Sequence, residues 1–219
     1  MGDVAYTVVK AALSAVPIAG GPAAELVGLV FGPPLEKRRE KWLEQLADAV
    51  KEVQDKVSEL TPEKLSKNEA FVTTVLRATE IAVRTHQQEK LEALRNAVVS
   101  AALPDAPDET LQQIFLNHAD TLTPWHLLIL NFLDNPGAWG QRNGIKYPMY
   151  MMGFPTMVLE QSMPQLSGRP EFYDQIVTDL EQMGLLRAGG LRTFGTVHDM
   201  FSPRTTARGK QFLAFISRK

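Results

Sequence analysis

Four histidines have the clearest capacity for chemistry in this chain of 219 residues: His86, His118, His126 and His198. Metal-binding histidines usually recur three to five residues apart or combine with cysteines, and none of these four has such a neighbour. The chain has no cysteine, which excludes disulfides, thiolate metal sites and a cysteine nucleophile. We therefore expect no metal site and no cofactor.

Motifs of other catalytic classes are missing from the sequence as well. The glycines at 137–140 and 188–191 do not lie between a strand and a helix, as those of phosphate-binding loops do. No GxSxG nucleophile motif occurs. His126, beside Trp125 at a predicted helix start, is interpreted as a partly buried side chain held by backbone contacts. We predict that the protein is not an enzyme.

Residues 4–32 form a segment almost free of charge, with Lys10 and Glu25 as its only charged residues. Prolines and glycines at 17–22 divide it into two predicted helices, 4–16 and 22–31, each about 15 to 20 Å long. A bilayer core is about 30 Å thick, so neither helix spans it alone. This apolar hairpin must be covered by protein or by lipid. The residues expected to make those contacts are Val8, Val9, Leu13, Val16, Ile18, Leu26, Val27, Leu29, Val30 and Phe31.

Charged helices are predicted next, at 34–60 and 68–103, with an interruption at 85–88. Apolar residues in the first helix recur at alternating steps of three and four, which is typical of a heptad seam. The seam consists of Leu43, Leu46, Val50, Val53, Val57 and Leu60. Thr61 and Pro62 are predicted to cap and begin the next helical turn. These helices are expected to form an antiparallel bundle against the hairpin.

A group of basic residues directly follows the apolar hairpin: Lys37, Arg38, Arg39 and Lys41, with Trp42 beside them. Basic residues and tryptophan next to apolar sequence are typical of a segment anchored at an anionic membrane surface. Acidic residues interleave with them, and residues 33–103 carry 12 acids and 12 bases. A solvated helix face with i, i+4 ion pairs explains the pattern equally well, so both interpretations stay open.

Residues 104–108 contain two prolines and two aspartates and predict a boundary between a helical domain, 1–103, and a second domain, 107–219. Helices are predicted at 107–120, 155–163 and 170–183, with a further one opened by Thr123 and Pro124. A loop is predicted at 135–153. Its end, IKYPMYMMGFPTM at 145–157, holds four methionines. We interpret these as core packing around a turn, with an adaptable partner-binding surface as the alternative.

The end of the chain resembles the C-terminal half of winged-helix domains. GLL at 184–186, a glycine turn at 189–190 and TTARGKQFLAFI at 205–216 carry the resemblance, which covers about 122–217. It implies a strand at 203–206 that closes a small β-hairpin, and a helix at 207–216. The predicted fold class is therefore mainly α, with an apolar hairpin, an antiparallel bundle and a winged-helix-like domain.

The charges of this second domain argue against nucleic acid as its partner. The predicted recognition helix, 170–183, is acidic, and phosphates would repel it. The wing and tail are basic, and residues 185–219 carry +6 whereas 104–184 carry −7. We expect these opposed charges to meet each other, within one chain or between copies. The basic residues that could contact a partner or a phosphate backbone are Arg187, Arg192, Arg204, Arg208 and Lys210.

Longer motifs are similar to those of a group of uncharacterised bacterial proteins: the GGP hairpin, LTPWHLLILNFLDNP at 122–136 and PRTTARGKQFL at 203–213. More distantly, the hairpin, the helical pair and the T-x-x-G-x-x-F ending at 206–212 resemble the Abi-alpha abortive-infection proteins of phage defence. That resemblance implies a role in bacterial immunity and assigns no catalytic residue.

Together these features predict a non-enzymatic defence or stress protein that self-associates and disturbs a membrane by releasing residues 4–32. A soluble interaction scaffold and a DNA-binding regulator are the alternatives. A second copy of the chain is the expected partner, with another protein or a membrane as further candidates. The expected location is the cytoplasm or the periphery of the inner membrane.

Overall fold

The computed structural model describes residues 33–57, 60–187, 189 and 191–217. Within these residues the chain is mainly α-helical, which confirms the predicted class. The apolar hairpin predicted at 4–32, with its ten contact residues, lies outside the described residues, so it stays a prediction.

The first four helices follow the predicted order, and side chains cap the starts of two of them. The predicted helix 34–60 ends earlier than expected, and the interruption predicted at 85–88 is confirmed by a break at 85–87. Thr61 caps the second helix by accepting a hydrogen bond from Lys64 N, as its position before Pro62 predicts. The helices are α1 (Pro33–Lys56), α2 (Pro62–Ser66), α3 (Glu69–Arg84) and α4 (Gln88–Ala102).

Seven more helices and one two-stranded sheet make up the rest of the described chain. The helices are α5 (Glu109–Thr121), α6 (Pro124–Asp134), α7 (Pro136–Arg142), α8 (Pro155–Ser162), α9 (Pro170–Gln182), α10 (Val197–Phe201) and α11 (Ala207–Ile216). A single 3-10 turn, Pro164–Leu166, follows α8. The strands β1 (Met152–Gly153) and β2 (Gly195–Thr196) pair in antiparallel orientation.

The predicted heptad seam is correct in the middle of α1 and wrong at its first residue, and its last two residues, Val57 and Leu60, follow the end of the helix. Leu46 and Val53 are buried, as expected. Leu43 is 44% exposed, and Trp42 takes its place in the core, where its Nε1 donates a hydrogen bond to Thr79 Oγ1 at 3.0 Å. Since the indole buries more apolar area than leucine and its N–H finds a partner, the helix turns that side inward.

The C-terminal helix α11 packs on α4, across the predicted domain boundary. Asn96 Nδ2 donates to the carbonyl oxygen of Ile216 at 3.1 Å, and Ser100 Oγ donates to that of Phe215 at 2.9 Å. Phe115 on α5 contacts the rings of Phe212 and Phe215, each with a centroid distance of 5.6 Å. The buried apolar residues form one continuous cluster on both sides of 104–108. The division at that loop stays a prediction.

A single antiparallel bridge between Leu186 and Thr205 lies where the wing was predicted. Arg187 N donates to the carbonyl oxygen of Arg204 at 2.8 Å beside it. The predicted strand at 203–206 is therefore reduced to this bridge. The chain between the two bridged residues contains β2 and α10, so it is more than a tight glycine turn. The winged-helix resemblance stays a prediction.

Gly209, in the first turn of α11, lies against the carbonyl oxygen of Leu185, and a Cβ atom at this position would overlap that oxygen. Gly209→Ala should therefore lower the free energy of unfolding by about 2 kcal/mol or more, because backbone atoms give way poorly. Without this contact, alanine for glycine stabilises a helix by about 0.5 to 1 kcal/mol. Urea unfolding followed by circular dichroism measures the change.

The matched control is Gly137→Ala in α7, where the nearest atom to a new Cβ is Asn135 Oδ1 at 3.8 Å. This variant should unfold at the same or a higher urea concentration than the parent. Equal effects at the two glycines would contradict the close contact of α11 with Leu185.

Candidate interaction surface

Large apolar side chains are exposed on two stretches of the chain, 149–157 and 194–197. Met149 is 98% exposed and Met151 86%, and the others range from 38% to 56%. Folded monomers rarely expose several such side chains together unless they bind something. We call this set the methionine–phenylalanine surface; it consists of Met149, Met151, Met152, Phe154, Met157, Phe194 and Val197.

The small sheet brings the two stretches together. Met152 pairs with Thr196, and Gly153 pairs with Gly195. Directly beyond the paired residues, the rings of Phe154 and Phe194 meet edge to face with a centroid distance of 5.3 Å. The exposed side chains of the two stretches therefore lie side by side and form one surface.

Partly buried aromatic side chains and the backbone of β1 support this surface. The Tyr147 ring packs edge to face on Phe201 at 5.0 Å, and its hydroxyl lies 2.7 Å from Ser162 Oγ. Gly153 is buried, and a Cβ atom there would come within 2.9 Å of the sulfur of Met157 and 3.0 Å of the methyl carbon of Met200. The backbone of β1 thus lies close to both methionines, which holds the surface in place.

The prediction that residues 145–157 pack in the core is therefore correct for some of them and wrong for others. Tyr147 and Gly153 pack inward, whereas Met149, Met151 and Met152 are exposed. No alternating pattern in the sequence distinguishes them, because adjacent Met151 and Met152 are both exposed.

The sequence that contains most of the methionine–phenylalanine surface carries positive charge. Residues 135–159 include Arg142 and Lys146 and no acid. Asp199, the acid nearest in sequence to Val197, accepts hydrogen bonds from the backbone N–H of Thr196 at 2.8 Å and from its hydroxyl at 2.7 Å. These hydrogen bonds lower the pKa of the Asp199 carboxyl. Its charge is engaged in capping α10.

The basic residues that follow the apolar segment 4–32 differ in environment from the neighbouring Trp42. Lys37, Arg38, Arg39 and Lys41 are exposed on α1. Trp42 is only 2% exposed and belongs to the core, so it does not share their surface. We call the four exposed residues the α1 basic residues.

Several basic residues of the predicted wing are engaged within the chain. Arg192 forms an ion pair with Asp174 of α9 at 2.5 Å, which joins the basic segment to the acidic helix as the opposite charges predict. Arg204 donates to the carbonyl oxygen of Asp199 at 2.8 Å, and burial lowers the pKa of its guanidinium. Arg187, Arg208 and Lys210 are exposed.

His126 has the structural role expected from its position. Its Nδ1 accepts a hydrogen bond from Thr123 N at 3.2 Å, and its Nε2 lies 3.2 Å from a carboxylate oxygen of Asp179. The ring thereby caps α6 and ties it to α9. In the described part of the chain, no three histidine or acidic side chains are arranged to hold a metal ion.

Two further properties of the chain bear on function. Among the described residues, no helix combines the length and the apolar character needed to cross a membrane. A groove of about 460 Å³ lies between α1, α4 and α11, with Val53, Leu103 and Phe215 in its lining.

No family model, curated protein or solved structure matches this chain. The resemblances to winged-helix domains and to Abi-alpha proteins therefore stay predictions.

His118 on α5 is half-buried against the edge of Phe212, at a centroid distance of 5.8 Å. Within the described residues its Nε2 has no hydrogen-bond partner. Burial, and secondarily the positive charge of Arg208, lower its pKa below the usual 6.5. Folding therefore opposes protonation of this ring.

Because the pKa of His118 is lower in the folded chain than in the unfolded one, its contribution to stability is complete above pH 6.5 and is lost as the pH falls through the folded value. His118→Gln should therefore lose less stability than the parent between about pH 7.5 and about pH 5.5. Urea unfolding across this range measures the slope. Leu76→Gln, at an exposed position without a titratable group, should keep the parent's slope. An unchanged slope in His118→Gln would contradict this role of the ring.

Proposed function

We propose that this protein is a non-enzymatic interaction protein that binds a second copy of itself through the methionine–phenylalanine surface. The observation that carries the proposal is the exposure of Met149 and Met151 within a group of exposed apolar side chains. Methionine side chains are flexible and polarizable, so they adapt to a partner without a fixed complementary shape. A side chain that is 98% exposed cannot line an enclosed pocket, which favours a macromolecular partner over a small ligand.

Replacing Met149 and Met151 with serine should weaken self-association of the full chain by about tenfold or more, because each buried methionine contributes about 1.5 kcal/mol or more. Sedimentation equilibrium over a range of concentrations measures the association constant. The control is Leu76→Ser, since Leu76 is 62% exposed on α3 and is not part of the surface. A parent that is monomeric at every concentration would contradict self-association, and so would equal losses in the two variants.

Association with an anionic membrane is a second candidate, favoured by the exposure of the α1 basic residues directly after the apolar segment. Each Lys or Arg near such a surface contributes about 1 kcal/mol. In this proposal residues 4–32 lie on the membrane and the basic residues contact the lipid phosphates. Their interleaved acids reduce the effect, so it should be strongest at low ionic strength.

Changing Lys37, Arg38 and Arg39 to glutamine should weaken binding to phosphatidylserine vesicles at low salt by about tenfold or more. Vesicle co-sedimentation of the full chain measures it. The control removes the same charge at Lys51, Lys64 and Lys67, which are also exposed. Equal losses would indicate that only net charge matters, and a parent that does not bind these vesicles would exclude this function.

We also propose a winged-helix-like fold for 122–217 and a role in bacterial defence. A winged-helix-like arrangement of 122–217 is supported by the bridge between Leu186 and Thr205 directly before α11. DNA binding is not proposed, because Arg192 and Arg204 bond within the chain. A role in bacterial defence is supported only by the resemblance to Abi-alpha proteins.

A further inference from the structure

Two apolar parts of this chain need a partner, and each could serve the other. The methionine–phenylalanine surface is exposed, and residues 4–32 contain only two charged residues. We infer that this surface binds the apolar segment 4–32 of the same chain or of a second copy. The inference deepens the proposed function, since it rests on the proposal that this is the binding surface.

The predicted helix 22–31 has the pattern that such a surface recognises. Leu26, Leu29 and Val30 lie at positions i, i+3 and i+4, so a helix presents them on one face. Helices that dock in apolar grooves use this spacing for their anchoring side chains. Methionine-rich surfaces accept such helices because their side chains repack around the anchors.

The length of the segment and its point of attachment allow this contact. The segment is joined to α1 at Pro33. Its two predicted helices and the connection between them span about 50 Å when extended. A compact chain of this size is about 45 Å across. Residues 4–32 can therefore reach most of the surface of their own chain, or the surface of an adjacent copy.

Charge does not oppose this contact. Residues 4–32 carry one base, Lys10, and one acid, Glu25, so the segment has no net charge. Residues 135–159, which include most of the surface, carry Arg142 and Lys146 and no acid.

The absence of native cysteine makes thiol protection a direct test in the full chain. A cysteine in place of Met151 should react with a maleimide reagent about tenfold more slowly than one in place of Leu76, because the segment covers the first position and not the second. Adding Leu26→Glu and Val30→Glu to the Met151→Cys chain should restore fast reaction. Equal rates at the two cysteines, or slow reaction that ignores the glutamates, would overturn the inference.

Crosslinking keeps the test valid if the glutamate variant folds poorly. A chain with Leu29→Cys and Met151→Cys should be joined by a short bismaleimide, whereas Leu29→Cys with Leu76→Cys should not. Failure of the first pair, or equal joining of both, would overturn the inference. A chain with Leu29→Cys and Leu103→Cys tests another location. If the bismaleimide joins this pair and not Leu29→Cys with Met151→Cys, the inference is also overturned, because the segment then lies in the groove between α1, α4 and α11.

Mixing isotopically heavy and light copies separates this inference from self-association. A crosslink between copies supports both proposals. A crosslink within one copy supports the binding of 4–32 to the surface and contradicts self-association through it. Self-association without any crosslink would leave the proposed function intact and overturn the inference alone.

Discussion

The close contact between α4 and α11 holds the two predicted domains of this protein together. The last carbonyl groups of any helix lack partners within it. In α11 two of them, at Phe215 and Ile216, accept hydrogen bonds from Ser100 and Asn96 of α4. Alanines at 93, 97 and 101 leave room for neighbouring helices to approach α4. Since α1, α3 and α5 also pack on α4, the C-terminal part of the chain is tied to the same core as the N-terminal helices.

Helix boundaries were the part of the fold that the sequence predicted best, because capping is local chemistry. Thr61 before Pro62 and Thr123 before Pro124 each mark a helix start that is confirmed. The same signal at Asn135 and Pro136 indicates the start of α7, although a loop is predicted at 135–153. Thr196 and Asp199 form the capping box of α10, whose five residues are too short for a periodic pattern.

Which face of an element is buried was harder to predict, because burial is decided by distant neighbours. Trp42 and Leu43 are adjacent apolar residues, and the hydrogen bond from Trp42 to the distant Thr79 on α3 helps to place the tryptophan inside. The methionines of 149–152 are as apolar as core residues, yet the pairing of β1 with β2, more than forty residues away, leaves them exposed. Composition alone therefore cannot distinguish a buried methionine cluster from an exposed partner-binding surface, and the sequence predicts both as alternatives.

The exposure of Met149 also has a redox consequence. Peroxide oxidises accessible thioethers first, and the resulting sulfoxide is polar where the parent side chain was apolar. Met149 and Met151 are the most exposed large apolar side chains in the described residues. An oxidised copy would therefore present a more polar surface to any partner. A bound partner would in turn shield the sulfur atoms from the oxidant. Reductases that reverse methionine sulfoxide would restore the original surface.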